Sequence, residues 1–454
     1  MRTFIRFSVC VVAAAAAFAA GALAQDYDVY AIRGARLVPA SGAPIANGTI
    51  VMRTGVIEAV GANVQVPAGA VVIDGSGMTV YPGLIDMGNS TAVDVQNPQP
   101  PTFRTTEDQE RWKRTTIFRP DLVVADHVQP DSPDLTRLAT VGITTVLSVP
   151  PGSVIRGQSA LVNVAAPSDE PQIGAVADLR KGRQIVRTPV ALHVSLTSPG
   201  GRGGYPGSLL GTIAFVRQHF LDAQHQQLVQ QHYEKAKNGG DRPIHDPGLD
   251  ALQPVLARRL PVVFEADLAR EIRRSLKMAA EFNLDPVITG AREADQAVED
   301  LKAQKARVIY SVNYPTRPRT LAPDADEPIR VLRERANAPK TPGALAKAGV
   351  LFAFSSDGVR EIRDFVRNVA KAVKEGLPQD AAIRALTLDA ARIAGADARL
   401  GSLDPGKVAN VIVTEGDLFE EKMRVRHVFV DGIPVNLDAI PPQGGGRGRG
   451  RGGY

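Results

Sequence analysis

Carboxylates follow two apolar segments of the sequence, at points where strands are expected to end. Glu265 and Asp267 follow Pro261–Phe264, and Asp357 follows Phe352–Ser356. If these strands end on one face, their oxygens form a set that suits Mg²⁺, Mn²⁺ or Ca²⁺ better than Zn²⁺. The alternative is that Glu265 and Asp357 are buried polar groups satisfied by their neighbours, with no metal bound.

Other chemistry-bearing residue types are sparse. The single cysteine, Cys10, lies near the N-terminus, so a cysteine nucleophile or a Cys-based zinc site is not expected. His219, His225 and His232 have a spacing that favours a solvated helix face over a metal site. Gly-x-Ser-x-Gly is absent, and the glycine-rich run 200–207 lacks the Gly-Lys-Ser/Thr ending of a phosphate-binding loop.

Residues 1–24 have the features of an export signal. Arg2 and Arg6 precede a short apolar run, and Ala22-Leu23-Ala24 is a typical cleavage site. The apolar run is shorter than the ~20 residues that span a bilayer, so no transmembrane anchor is expected. We therefore expect cleavage after Ala24 and a periplasmic or extracellular protein.

The charge balance is close to neutral outside the two ends of the chain. Lys and Arg number 53 against 48 acidic residues. The excess disappears once Arg2, Arg6 and three arginines of the C-terminal tail are set aside. We therefore expect no nucleic-acid partner.

Two types of pattern indicate the fold class. Short apolar runs separated by turn residues occupy 30–80 and return after residue 409, which predicts β segments that pair with each other. Between them, apolar strands alternate with helical stretches, as in a parallel α/β sheet. The eight predicted strands, the number that closes a (β/α)8 barrel, are 80–86, 143–149, 161–164, 190–196, 261–265, 285–289, 307–312 and 350–355.

The resulting fold prediction is a (β/α)8 TIM-like barrel with a composite β-sandwich built from both ends. The composite domain takes residues 25–79 and 399–440, and the barrel takes 80–398. Residues 197–245 are an insertion that begins with a glycine-rich loop and continues as a helix. Residues 441–454 form an Arg-Gly tail that is expected to be disordered.

Several motifs resemble those of the metal-dependent amidohydrolases, in particular their imidazolonepropionase-like branch. Pro82-Gly83-Leu84-Ile85-Asp86 resembles the family's first barrel strand. Residues 385–391 resemble its "ALTxNPA" helix, and residues 401–413 its "GSLxxGKxADLVV" segment. Further matches at 47–51 and 55–61 extend the resemblance over most of residues 29–436, apart from the insertion.

The resemblance also implies a metal site, and this sequence departs from it. Family members follow the Asp with x-His-x-His, whereas this chain has Gly88 and Ser90 at the two metal-binding positions. The fifth-strand and sixth-strand histidines correspond to Glu265 and Gly290. Gly has no side chain and a Ser hydroxyl is a poor ligand, so a zinc site of the usual kind is not expected.

One family ligand does have a counterpart. Asp357 matches the Asp that ends the eighth strand, whose family role is to bind metal and to accept a proton from the attacking water. Glu265 would be its companion in an atypical site that holds Mg²⁺, Mn²⁺ or Ca²⁺, or no metal at all. The fourth-strand ligand has no clear counterpart, although His193 lies nearby in the sequence.

Two functions remain open at this point. One is a hydrolase that acts on a carbon–nitrogen bond of a small amide or peptide-like substrate. The other is a catalytically silent homologue that binds a ligand or supports an active paralogue. The expected partners are accordingly a small molecule, and either a second copy of the chain or a paralogous amidohydrolase.

Overall fold

The computed structural model describes residues 29–96, 100–129, 132–164, 184–199, 205–236, 243–322 and 324–440. The predicted export signal, the Arg-Gly tail and residues 200–204 of the glycine-rich loop lie outside this part of the chain. The described residues form a mixed α/β fold. None of their helices is both long and apolar enough to cross a lipid bilayer.

The strands are numbered in chain order. They are β1 Val29–Leu37, β2 Ile45–Arg53, β3 Val56–Gly61, β4 Val71–Asp74, β5 Met78–Pro82, β6 Leu84–Asn89, β7 Ile143–Ser148, β8 Ile155–Gln158, β9 Ala160–Asn163, β10 Ile185–Arg187, β11 Leu192–Ser195, β12 Val262–Ala266, β13 Pro286–Gly290, β14 Arg307–Ser311, β15 Phe352–Ser355, β16 Val411–Glu415, β17 Arg424–Val430 and β18 Ile433–Pro434.

The α-helices are numbered in the same way. They are α1 Thr106–Ile117, α2 Pro133–Arg137, α3 Leu209–Ala236, α4 Pro247–Leu256, α5 Ala269–Glu281, α6 Val298–Ala303, α7 Ile329–Asn337, α8 Thr341–Ala348, α9 Arg363–Lys374, α10 Gln379–Leu386 and α11 Leu388–Ile393.

One sheet combines the two ends of the chain. Its strand order is β18-β17-β16-β5-β1-β2-β3, and β4 pairs with β1. The junction lies between β5 and β16, which are antiparallel and place Val411 opposite Pro82. Ile32, Ile50, Val80 and Phe429 belong to its buried apolar layer, so burial holds the distant segments together.

The strand predicted over 80–86 is two strands that enter different sheets. The strand β5 pairs with β1 and β16, whereas β6 pairs with β7 in a parallel arrangement. Gly83 lies at the break, where its N–H donates to the carbonyl of Asn410 at 2.8 Å. A Cβ atom at position 83 would lie 2.1 Å from Oγ1 of Thr144, so only glycine fits this crossing.

The middle of the chain forms two further sheets. One has the order β10-β9-β7-β6, and the other has the order β15-β14-β13-β12-β11-β8. The strands β11 to β15 are parallel to one another, whereas β8 at the edge is antiparallel to β11. In contrast to the expectation for residues 161–164, β9 is antiparallel to β7. The sequence patterns did not predict β8, which is antiparallel to β11. Only Ser159 separates β8 from β9, so no crossover helix lies between them.

The edges of these two sheets lie against each other. Oγ of Ser355 in β15 donates to the carbonyl of Gly88 in β6 at 2.8 Å. A second link joins Ser159, between β8 and β9, to Ala191, just before β11: the N–H of Ser159 donates to the carbonyl of Ala191 at 2.9 Å. One buried apolar layer lies between the two sheets. It consists of side chains of β6, β7, β9 and β12 to β15 and of Ala191 just before β11, and residues of α11 pack against it.

Local sequence features explain where some of the helices begin and end. Asp246 caps α4 by accepting hydrogen bonds from the N–H groups of Gly248 and Leu249. The segment that resembles the "ALTxNPA" helix spans two helices, α10 and α11, because the backbone leaves the helical region at Thr387. His219 does not lie on a solvated face: it is buried, packs on Phe118 and Phe215, and its Nδ1 hydrogen-bonds the Phe215 carbonyl at 2.8 Å.

Candidate active site

A cavity of about 200 Å³ lies at the carboxyl ends of the parallel strands. We call it the central cavity. It is lined by Met87, Gly88, Asn89, Ser90, Val149, Pro150, Pro151, Arg156, His193, Glu265, Asp267, Thr289, Gly290, Arg292, Ser311, Asn313, Ser355, Asp357 and Gly358.

The period of two along a strand explains which side chains reach the central cavity. Val263, Val287 and Ile309 lie in the buried apolar layer. The residues two positions later are Glu265, Thr289 and Ser311, all of which line the cavity. The same step leads from Leu147 to Val149, from Ala191 to His193 and from Ala353 to Ser355. The apolar layer therefore forms the floor, and the polar residues that follow it form the site.

All of the candidate site positions meet in this one place. Gly88, Ser90, Glu265, Gly290 and Asp357 come from four strands and the loops after them, and each lines the central cavity. Their proximity is a structural fact, whereas their roles in catalysis or metal binding stay predictions. Asp267 and His193, for which the sequence left the role open, line the same cavity.

The glycines at the expected histidine positions are packed closely. A Cβ atom on Gly88 would lie 2.9 Å from Oγ of Ser355. Gly290 has a φ of +87°, which disfavours any other residue, and a Cβ there would lie 2.7 Å from Oδ1 of Asp267. The space that an imidazole would need is therefore taken by other side chains.

Two arginines that the sequence patterns did not identify lie beside the carboxylates. Nη2 of Arg156 lies 3.3 Å from Oε2 of Glu265. Nη2 of Arg292 donates to Oδ2 of Asp267 at 2.8 Å, and Arg292 also pairs with Glu334. Arg156 belongs to β8, which the sequence patterns did not predict, so no sequence feature indicated that Arg156 lies at the site. Arg292 lies two residues after β13, and this place just after a predicted strand could have identified it.

These ion pairs bear on whether a metal fits. Glu265 and Asp267 each already have a cationic partner, and the described residues contain no group of three or more His, Cys, Asp or Glu side chains arranged to hold a metal. A positive guanidinium within hydrogen-bonding range of a carboxylate opposes a divalent cation at the same oxygens. The residues present therefore do not fit the metal site that the resemblance implies.

Asp357 differs from the other two carboxylates of the cavity. Its backbone is fixed, since its N–H donates to Oγ of Ser355 at 3.0 Å and its carbonyl accepts from Oγ of Ser311 at 2.8 Å. Its side chain is exposed, and within the described part of the chain its carboxylate has no hydrogen-bond or ion-pair partner. A held backbone with a free carboxylate leaves this group able to contact a bound ligand or water.

His193 is buried at the wall of the central cavity. It is 2% exposed, and neither of its ring nitrogens has a hydrogen-bond partner among the described residues. Burial lowers the pKa of His193 well below its usual value, and the positive charge of Arg156 lowers it further. His193 is therefore neutral at pH 7 and offers one donor and one acceptor.

Asp86 joins β6 to the segment that carries Asp357. Its carboxylate accepts hydrogen bonds from the N–H and Oγ of Ser356 at 2.8 and 2.5 Å and from Nδ2 of Asn89 at 3.0 Å. Burial raises the pKa of Asp86 to about 6, although these hydrogen bonds oppose the rise. Asp86 thus fixes the base of the site and does not line the cavity.

The raised pKa of Asp86 predicts a pH dependence of stability. Since the folded-state pKa of about 6 exceeds the ordinary value of 3.8, protonated Asp86 stabilises the fold at low pH. This contribution, about 3 kcal/mol, is lost as the pH rises through that window. Urea unfolding of the wild type and Asp86→Asn at pH 4 to 7.5 measures it. We expect the wild type to lose stability relative to the variant as pH rises; a constant difference between the two contradicts the prediction.

Histidines at positions 88 and 90 are expected not to restore a zinc site. An imidazole at 88 must displace Ser355, which hydrogen-bonds both Gly88 and Asp357. We therefore expect Gly88→His/Ser90→His to be less stable and to retain no stoichiometric zinc after dialysis. Ser90→His alone is the control, because Ser90 is exposed and its replacement leaves Ser355 in place. One tightly bound zinc per chain in the double variant would contradict this.

Comparisons with known proteins are consistent with the sequence motifs. Residues 271–435 match the sequence profile of the Amidohydrolase family. No curated protein sequence matches the chain. Among solved structures, an amidohydrolase from Thermotoga maritima superposes with a TM-score of 0.72 at 23% identity, over 90% of this chain and 99% of that one.

Two further solved structures share the fold at lower similarity. Molinate hydrolase has a TM-score of 0.52 at 16% identity, over 91% of this chain and 96% of that one. Phenylurea hydrolase B has a TM-score of 0.51 at 17% identity, over 91% of this chain and 98% of that one. The family profile thus matches residues 271–435, in the C-terminal part of the chain, and the solved structures show that the chain shares their fold.

Proposed function

We propose that this chain hydrolyses a carbon–nitrogen bond of a small amide or peptide-like substrate in the central cavity. The observation that carries the proposal is the free carboxylate of Asp357, held at the cavity by its backbone hydrogen bonds. Among the solved structures that share the fold, phenylurea hydrolase B is named for a urea substrate, and the bonds between the carbonyl carbon and the nitrogens of a urea are of the proposed type.

The proposed reaction uses Asp357 as general base. Its carboxylate takes a proton from a water molecule, whose oxygen adds to the carbonyl carbon of the substrate. The carbon–nitrogen bond then breaks, and the proton passes from Asp357 to the departing nitrogen. Arg156 and Arg292 line the same cavity and supply positive charge that stabilises the developing oxyanion. No step passes through a metal, because Glu265 and Asp267 are already paired with these arginines.

We also propose that the two inner sheets close into a (β/α)8 TIM-like barrel in which β9 runs antiparallel to its neighbour β7. The support is the buried layer to which eight strand segments contribute, together with the hydrogen bonds from Ser355 to Gly88 and from Ser159 to Ala191. The barrel would span residues 80–398 with the insertion 197–245. Residues 25–79 and 399–440 would form the composite β-domain around the sheet that joins both ends. The central cavity would then open at the face where barrel enzymes carry their active sites.

The compartment proposed from the sequence is the periplasm or the extracellular space, supported by the charged start, the apolar run and the Ala22-Leu23-Ala24 site. A small amide is the proposed substrate partner there. Self-association or pairing with a paralogous amidohydrolase belongs to the second candidate function.

Activity and metal content measured on one preparation test the main proposal. The full chain is purified without chelator or nickel resin, its metals are quantified, and it is incubated with N-acyl amino acids, dipeptides and cyclic amides. We expect hydrolysis that survives EDTA. Activity that EDTA abolishes and a single divalent metal restores would contradict the metal-free site.

The second candidate is a catalytically silent homologue that binds a ligand. The two arginine–carboxylate pairs favour it, since they neutralise groups that would otherwise act on water or metal. In that case the metal-free protein hydrolyses nothing in the panel. Co-purification of a relative with an intact His-x-His segment would support the partner role.

A further inference from the structure

We propose that Arg156 and His193 form a subsite for a small monocarboxylate in the central cavity. The two residues are neighbours across β8 and β11, where His193 is in register with Gly157. Both line the cavity. The idea that the subsite selects a substrate rests on the proposed function. Binding of a carboxylate at the subsite is measured separately from hydrolysis.

The first observation is a set of unpartnered polar atoms. Nε of Arg156 and both ring nitrogens of His193 are buried and have no hydrogen-bond partner among the described residues. Buried polar groups without partners cost free energy, and native structures rarely retain them. Both side chains belong to the wall of one cavity, so a ligand there can satisfy them together.

The second observation concerns Glu265, which now neighbours Arg156. The contact is 3.3 Å, and the side chain of Glu265 is 49% exposed against 15% for Arg156. Glu265 can therefore turn towards water, whereas the guanidinium stays in the wall. A ligand carboxylate that replaces it gains charge-assisted hydrogen bonds from the planar fork of Arg156 and one from neutral His193.

The charges of the cavity select a monoanion. Its charged lining consists of two arginines and the carboxylates of Glu265, Asp267 and Asp357. Arg292 is engaged by Asp267 and by Glu334, which leaves Arg156 as the cation on the strand paired with that of the unpartnered His193. A dianion such as phosphate meets three carboxylates, so one carboxylate is the anion that this lining tolerates.

Calorimetric titration of the full chain at pH 7 tests the subsite with three probes. They are N-acetylglycine, its neutral isostere N-acetylglycinamide, and inorganic phosphate. We expect N-acetylglycine to bind about tenfold or more tightly than the amide, because charge-assisted hydrogen bonds are roughly twice as strong as neutral ones. Equal binding of acid and amide, tighter binding of phosphate, or no binding of any probe would each overturn the proposal.

Variants assign the effect to Arg156. Arg156→Gln should reduce the preference for the acid to less than about threefold, and Arg156→Lys should give an intermediate value because it keeps the charge and loses the fork. The matched control is Arg307→Gln. Arg307 is similarly buried at 18% exposure and pairs with Asp285 at 2.5 Å, but it lies outside the cavity. An unchanged preference in Arg156→Lys and Arg156→Gln would overturn the assignment.

A spectroscopic signal reports on His193 directly. The ring resonances of ¹⁵N-labelled histidine, assigned by their loss in His193→Gln, should shift when N-acetylglycine is added and stay in place with the amide. Glycine released from the acid and glycinamide released from the amide are measured in the same samples. Acid-selective binding without glycine release supports the subsite and contradicts the proposed function. Hydrolysis of the acid and the amide at equal rates supports the proposed function and contradicts the subsite.

Discussion

Replacement of Asp357 by Asn is expected to slow amide hydrolysis at least about 100-fold, the lower end of what a general base contributes. The amide cannot take a proton from water, although it keeps the shape of the carboxylate. The anchoring hydrogen bonds of residue 357 come from its backbone, so the variant should fold and keep its ligand affinity. The measurement is kcat/KM on the substrate identified in the amide panel, together with unfolding by urea.

Asp380→Asn is the control for this prediction. Asp380 is an exposed carboxylate in the first turn of α10, where it pairs with Arg384 far from the cavity lining. Its replacement should leave kcat/KM unchanged. Equal rates for the wild type and Asp357→Asn would show that Asp357 is not the general base. Neutral His193 would then be the next candidate for that role.

The second large effect is expected at Gly83. An alanine Cβ there would lie 2.1 Å from Oγ1, 2.5 Å from Cγ2 and 2.7 Å from Cβ of Thr144, which is fully buried. Thr144 is branched at Cβ, so it cannot turn away without moving β7. We expect Gly83→Ala to lower the free energy of unfolding by about 3 kcal/mol, the upper end for overpacking. Urea unfolding measures the change.

Two variants isolate the cause of this loss. Gly42→Ala is the control, since a Cβ at position 42 has no atom within 4 Å. Thr144→Ala removes Oγ1 and Cγ2, so the double variant Gly83→Ala/Thr144→Ala should recover part of the loss relative to the sum of the two single changes. Strict additivity would show that the steric contact with Thr144 is not the reason that glycine occupies position 83.

The two proposals about the central cavity share Arg156 and differ in Asp357. Hydrolysis requires the carboxylate of Asp357, whereas the carboxylate subsite requires the guanidinium of Arg156 and the ring of His193 and makes no use of Asp357. The same cavity can therefore bind a ligand even in a chain that does not cleave it. This separation makes the silent homologue a testable alternative, because binding and cleavage are measured with different variants.

The sequence by itself determined the strands and the positions that follow them. Apolar runs of four to six residues, such as Val262–Ala266 and Phe352–Ser355, are local signals, since burial of a strand requires them whatever its partners are. The same signals placed the carboxylates, because Glu265 lies at the end of β12 and Asp357 lies two residues after β15. The similarity of the two terminal β segments predicted that distant parts of the chain pair, as β5 and β16 do.

Only the tertiary structure decided what the site contains around those carboxylates. Arg156 pairs with Glu265 from β8, a strand that is antiparallel to β11. Arg292, which follows β13, pairs with Asp267, which follows the neighbouring strand β12. Such contacts depend on register between segments far apart in the chain, which no local pattern encodes. The same holds for Gly83, whose neighbour Thr144 is 61 residues away, and for His219, which packing of Phe118 removes from solvent. Periodicity in a sequence fixes which face a side chain takes, but packing fixes what it meets there.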